Sequence, residues 1–362
     1  VISFAQFCLA SMLLGIYVFG YKVGSNPFIL LRDAGVMPFA PGPNYLSMIK
    51  DGVGLNALLQ NYWMVIHPPV LFMGFASTIV PFSFAFAGLW RKRFSEWTKP
   101  ALPWALFSAM VLGTGVMMGA AWAYESLTFG GYWAWDPVEN ASLVPWLMLV
   151  AGIHTLVVYR ATGHSLRSTF FFLISTFILV LYSTFLTRSG ILGDTSVHAF
   201  TDLGMSGQLL IYLFIFLIPA FWLFIYHYKK IPSEKKEEQF HSREFWMFIG
   251  SLVLFLSAIF IIFTTSVPVW NKLLKLVGFN HANFTEPIDR EFHYNRIQIF
   301  IAILLGLGTG TIQYYKYKST SLKYFGKKII WPLCIAIVLA VLAGTFGNIH
   351  YDKYGIGFWK PG

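Results

Sequence analysis

Repeated apolar runs longer than 18 residues limit what this chain can fold into more than any other feature of its sequence. In hydrocarbon every backbone N–H and C=O must find its partner inside the protein, so such a run is read as a helix crossing a bilayer. At about 1.5 Å per residue, roughly 20 residues cross about 30 Å of hydrocarbon. Spans are expected near 2–20, 64–89, 101–121, 141–159, 169–187, 208–228, 244–266, 297–315 and 329–347. The expected fold is all-α, a polytopic membrane helix bundle of about nine spans forming a single integral membrane domain over 1–362.

Composition agrees, with 56% hydrophobic and 12% charged residues among 362, unlike a water-soluble domain. The net charge of +10 would raise the question of nucleic acid in a soluble protein. Here most basic residues sit in short loops, so lipid headgroups are the expected partner and nucleic acid is not. Segments 90–100, 160–168, 229–243 and 316–328 carry 16 of the 26 Lys and Arg, and the longer segments between carry the other 10. By the positive-inside rule the first group is cytoplasmic, with 229–243 a solvated cytoplasmic loop, and the N-terminus starts inside. Cys8 and Cys334 are far apart in apolar segments, so neither a disulfide framework nor thiol redox work is expected. The first residue is Val1 and no signal-like n-region precedes the first run, as expected of a piece of a longer protein. The spacings Gly115 to Gly119 and Gly306 to Gly310 predict close helix packing.

The outer segment 121–146, AWAYESLTFGGYWAWDPVENASLVPW, concentrates Trp122, Tyr124, Phe129, Tyr132, Trp133, Trp135 and Trp146 around Gly130 and Gly131. Interfacial aromatic belts use Trp and Tyr too, but scatter them one or two per helix end. A dense loop with glycines and no basic residue fits a platform for a large, flat, apolar ligand. Asp136 and Glu139, its carboxylates, read as helix caps or a polar lock within the loop. Two histidines flank it on the same side of the membrane: His67 in WMVIHPPVLFMGF, placed at a helix start where Pro68 and Pro69 are tolerated, and His198 in LTRSGILGDTSVHAF. Two imidazoles over an aromatic platform suit bis-axial ligation of a haem iron; ordinary interfacial histidines are the alternative. His154, expected about 20 Å along the fourth span, is an intramembrane ionisable residue and so a candidate ligand of an embedded haem, or else a hydrogen-bonded structural histidine. Arg188 could meet a haem propionate or snorkel to the interface. His164, His227, His241, His281, His293 and His350 read as solvated or interfacial.

The run GGYWAWDPVENASLVPWL resembles the tryptophan-rich "WWD" signature of haem-handling proteins. With HPPVLFMGF before it, TRSG and SVHAF after it, and SNPF at 25–28, the chain resembles the CcmF/NrfE type of cytochrome c haem lyase along essentially its whole length. The resemblance implies a multi-pass protein of the bacterial inner membrane with a periplasmic active face. It implies that His67 and His198 bind incoming haem and that His154 is one of two ligands of a resident b-type haem. Trp122, Tyr132, Trp133, Trp135, Asp136, Glu139 and Arg188 complete the expected haem-binding set. Its implied partners are haem, the haem chaperone CcmE, apocytochrome c with its CxxCH motif, and CcmH-like thiol-handling proteins. Catalysis would rest on positioning, with no side chain of this chain acting as nucleophile. Family members are longer and place the second transmembrane histidine beyond this sequence, which points to a fragment or one piece of a split system. A WWD loop also fits CcmC-like proteins, which handle or transport haem without forming thioethers, and a quinol-linked electron carrier built on His154 is a third reading.

Overall fold

The computed structural model describes residues 1–30, 54–127, 131–193, 196, 204–234, 238–279 and 284–347. His198, His281 and His350 lie outside the described residues, as do Phe129 and Gly130. The helices are α1 (Ile2–Ser11), α2 (Tyr62–Ser77), α3 (Ile79–Trp90), α4 (Thr98–Ser126), α5 (Pro137–Thr162), α6 (Leu166–Arg188), α7 (Ser206–His227), α8 (Arg243–Thr265), α9 (Val267–Leu276), α10 (Arg290–Ile312) and α11 (Leu322–Phe346). Eight helical stretches among the described residues are long and apolar enough to cross a membrane, α2 and α3 together making the first, Tyr62–Trp90. The chain is a polytopic helical membrane bundle.

The expected first span, 2–20, is not one. The helix stops at Ser11, and strands β1 (Ile16–Val18) and β2 (Tyr21–Val23) pair antiparallel with Val18 opposite Tyr21. Phe19 and Gly20 fill the two-residue turn, both at positive φ (48° and 83°), the twist that tight hairpins require. Ten helical residues reach only about 15 Å, half a bilayer. Other boundaries move as well. The second span starts at Tyr62, capped by the Asn61 side chain accepting from Trp63 N, so Pro68 and Pro69 are inside the helix instead of at its start. The fourth starts at Pro137, and the outer segment 121–146 is largely helical, with α4 running to Ser126 and α5 beginning at Pro137.

Capping chemistry explains the start of α5. Asp136 accepts from Val138 N, Glu139 reaches back to the backbone N–H of Asp136, and Pro137 occupies the first turn, where its missing N–H costs nothing. Gly163, at φ 85°, ends the helix. Helix α6 is the centre of the bundle, with 78% of its apolar window buried, and α5 lies beside it at 61%. Around this pair pack α3, α4 and α7 on one side and α8 on the other, α10 resting on α8. No residue of α11 is buried.

Glycines set the tightest approach. A Cβ on Gly74 of α2 would come within 2.6 Å of the Leu112 backbone, and one on Gly115 of α4 within 2.7 Å of the Leu71 backbone. The expected packing at Gly115 and Gly119 is therefore present. At Gly306 and Gly310 no described residue lies within 4 Å of a Cβ built there, so among the described residues that packing is not seen.

Candidate functional site

The α2/α4 contact places His67. Its Nδ1 lies 2.7 Å from the Gly115 carbonyl oxygen, which can only accept, so Nδ1 carries the proton and Nε2 the lone pair a metal ion would use. Gly119 makes room for the ring: a Cβ there would sit 2.6 Å from His67 Cε1. Trp122 lies nearly parallel to the imidazole, 15° and 6.5 Å away, its Nε1–H donated to the Leu58 carbonyl at 3.0 Å. Pro68 and Pro69 donate no backbone hydrogen bond, so the wall of α2 beside His67 lacks two rungs of its ladder.

His67 opens into a cavity of about 420 Å³, within the range of cofactor-sized sites. Helix α2 contributes Met64, His67, Pro68, Leu71, Phe72 and Phe75, and α4 contributes Val116, Gly119, Ala120 and Trp122. Trp133 and Glu139 come from the tryptophan-rich connection and the start of α5, and Ser183, Thr184, Thr187 and Arg188 from the last turns of α6. Five expected site residues thus meet: His67, Trp122, Trp133, Glu139 and Arg188. The polar face of α6 was not anticipated, although Thr184 and Arg188 stand at i, i+4 and Ser183 and Thr187 likewise, a helical spacing readable in the sequence.

Glu139 accepts from the backbone N–H groups of Ala134 and Asp136, at 3.1 and 3.2 Å, and so folds the loop over the cavity. The Arg188 guanidinium lies 5.9 Å from the Phe72 ring centroid. The buried Trp133 Nε1–H has no acceptor among the described residues. An imidazole of fixed tautomer, aromatic faces, a cation and an indole donor form a set suited to haem: iron, porphyrin plane and propionates each find a counterpart.

Tyr132, Trp135, Asp136 and His154 do not line the cavity. Tyr132 is exposed and stacked on Tyr124, 4.2 Å apart at 5°. Asp136 is buried; besides capping α5 it accepts from Ser196 Oγ at 2.6 Å, tying the segment after α6 to the tryptophan-rich loop. The Trp135 ring lies on α10, its backbone at φ 54°. A bulky L residue held there costs about 1–3 kcal/mol.

His154 stands 17 residues past the start of α5, about 26 Å along it and deeper than expected, because the helix begins four residues earlier. Its Nδ1 donates to the Val150 carbonyl at 2.8 Å, again leaving Nε2 as the lone-pair nitrogen. Among the described residues no three of His, Cys, Asp and Glu cluster as a metal site. Two of the histidines read as solvated or interfacial have buried rings or ring nitrogens. His227 is 3% exposed at the end of α7, and His293 stacks on Phe260 at 5.4 Å with Nε2 buried. Hydropathy by itself carried no signal of either.

The sequence matches the Cytochrome C assembly protein family over residues 2–192, more than half of its length. This chain belongs to that family. It is 33% identical over 90% of its length to the cytochrome c-type biogenesis protein CcmF of Pseudomonas fluorescens, covering 46% of that protein. Against CcmF of Escherichia coli the identity is 34%, over 71% of this chain and 39% of the relative. Against NrfE of Haemophilus influenzae it is 32%, over 91% and 49%. Among solved structures the fold is similar to a cytochrome c heme lyase CcmF, with a TM-score of 0.54 and 26% identity over 80% of this chain and 41% of that one. The chain therefore spans less than half the length of these relatives, and its likeness to the CcmF/NrfE type is that of a part to a whole.

Proposed function

We propose that this chain is the haem-handling part of a cytochrome c haem lyase, binding haem on the periplasmic face of the bacterial inner membrane and promoting its attachment to apocytochrome c. The observation that carries the reading is His67, held as the Nδ1–H tautomer by Gly115 and facing a cavity that also holds Trp122, Trp133 and Arg188. His198 supplies the second axial ligand, and Arg188 and the Trp133 indole N–H meet the propionates. His154 would hold a b-type haem within the membrane, which when bound would supply electrons that keep incoming iron reduced.

In thioether formation each CxxCH thiol adds across a haem vinyl group: an S–C bond forms, the thiol hydrogen goes to the other vinyl carbon, and no net oxidation occurs. The duty of this chain is to hold the porphyrin with its vinyl edge accessible and one axial ligand exchangeable for the histidine of apocytochrome c. Haem is delivered by a chaperone of the CcmE kind, and CcmH-like proteins keep the thiols reduced.

Purification with full-length partners and absorption spectra of His67→Ala, His198→Ala and His154→Ala test this. The outer variants are expected to abolish holocytochrome c and keep b-haem, and His154→Ala to lose b-haem. Wild-type maturation by the His67→Ala/His198→Ala double variant would sink the lyase reading. Outer haem bound without any thioether product from the complete system would favour a CcmC-like role in presenting or moving haem.

A further inference from the structure

Trp133 and Trp135 are two residues apart, yet Trp133 lines the cavity and Trp135 does not. Trp135 is where the chain turns. Its φ of 54° is a conformation that bulky L side chains rarely adopt, and one that persists only where the surroundings over-determine it. Three contacts do so here. The Trp135 ring stacks on Tyr294 at 4.9 Å and 16°, its Nε1–H donates to Asn295 Oδ1 at 2.8 Å, and its carbonyl accepts from Asn140 Nδ2 at 3.2 Å. Asn140 is fully buried and also donates to Thr265 Oγ1, 3.1 Å away, which pairs with the Tyr294 hydroxyl at 3.3 Å. Tyr294 is itself buried, with Phe260 behind it at 5.7 Å. The tryptophan-rich loop, α5, α8 and α10 are thus joined in one polar and aromatic knot.

We propose that Tyr294 and Asn295 of α10 are positioning residues that clamp Trp135 in its left-handed conformation and thereby hold Trp133 and the Glu139-bonded loop against the cavity. Both residues, like Thr265, lie outside residues 2–192, the part that matches the assembly family. The surface that handles the ligand is set in part by a helix the family match does not include. The clamp itself stands on geometry alone; its effect on haem rests on the function proposed above.

The test uses the full chain in lipid nanodiscs and has two arms. In the first, without ligand, hydrogen exchange is followed over residues 131–139 in wild type, Trp135→Phe, Asn295→Leu and Asn295→Asp. Asn295 is exposed, so its replacement leaves the core of α10 intact. Loss of the indole bond in Trp135→Phe or Asn295→Leu should speed exchange about five- to tenfold, the weight of one net hydrogen bond. The double variant should be no faster than either single one, and Asn295→Asp, which keeps an acceptor oxygen, should restore the wild-type rate. In the second arm hemin is titrated, and Asn295→Leu should shift the Soret band and weaken binding about tenfold while Asn295→Asp does neither. Unchanged loop exchange in both Trp135→Phe and Asn295→Leu, or additive effects in the double variant, would overturn the clamp. If wild type binds no hemin, the haem reading fails while the first arm still decides the clamp. Should Asn295→Leu also loosen 296–312, Trp135→Phe, which alters no residue of α10, carries the test alone.

Discussion

At the scale of single residues, the site depends on glycines as much as on ligands. Gly119 is the sharpest case, because a methyl group there would overlap His67 Cε1 at 2.6 Å, and a ring bonded to Gly115 on one side and facing Trp122 on the other has little freedom to retreat. Gly119→Ala should therefore weaken hemin binding at the outer site at least tenfold in a Soret titration and also lower the melting temperature, as the ring is forced off Gly115. Gly115→Ala should act first on packing. Its Cβ would press on the Leu71 backbone at 2.7 Å, so it should destabilise the α2/α4 pair by about 1–3 kcal/mol, read as a lower melting temperature. His67, Trp122, Trp133 and Arg188 were legible as neighbours because the tryptophans crowd one glycine-bearing segment, unlike a belt of one or two per helix end, and His67 and Arg188 flank that segment in the sequence. The direction of Trp135 was not, since it depends on a positive φ and on Asn295, 160 residues further along.

At the scale of elements, caps and turns decided where sequence reading succeeded. The Asp136/Glu139 capping box was readable from the run D-P-x-E, and it starts α5 four residues before hydropathy does. Asp136→Ala should cost about 0.5–2 kcal/mol from the lost cap, with the Ser196 bond lost besides; exchange over both 137–140 and 196 would report it. The N-terminal hairpin was missed because an apolar window cannot tell a helix from Ile-Tyr-Val-Phe-Gly-Tyr-Lys-Val, in which Gly20 and two β-prone flanks turn the chain back. Pro68 and Pro69 were taken for a helix start because Asn61, the actual cap, precedes a turn with no apolar period of its own. At the end of the bundle that the charge pattern assigns to the cytoplasm, the connection between α7 and α8 docks on the α5/α6 turn. Arg167 donates to the Ile231 carbonyl, and His164 Nδ1 lies 3.6 Å from Glu238 Oε1. Burial pushes the Glu238 carboxyl above its ordinary range, and the Glu244 charge adds to this while His164 opposes it. A raised acid holds its proton more tightly in the docked loop than in the undocked one. Docking is thus strongest below the ordinary carboxylate value and weakens as pH rises through the raised one. Exchange over 231–234 and 238–242, corrected for intrinsic pH dependence, should speed up across that window in wild type and not in Glu238→Gln.

At the scale of the whole molecule, charge orients what hydropathy only counts. The connections at 91–97, 163–165, 228–242 and 313–321 fall at one end of the eight candidate spans, and they carry most of the lysines and arginines that the positive-inside rule assigns to the cytoplasm. The cavity, with Trp133, Glu139 and Arg188 at helix ends of opposite polarity, belongs to the other end. Helix α9 lies at that end too. It follows the last turn of α8 directly, Val267 is buried against the bundle, Leu273 and Leu276 are exposed, and Lys272 and Lys275 lie on one arc, across from Leu273 and beside Leu276. Such a helix lies in the headgroup region with its leucines toward acyl chains. In intact cells, with Cys8 and Cys334 replaced by serine, a cysteine at Lys272 should react with a membrane-impermeant maleimide, and one at Ser233 should react only after the membrane is opened. The opposite pattern would place the His67 cavity on the cytoplasmic side, away from any thiol-bearing apocytochrome outside. Reaction at both sites before opening would show that the spans do not alternate as the charge pattern requires.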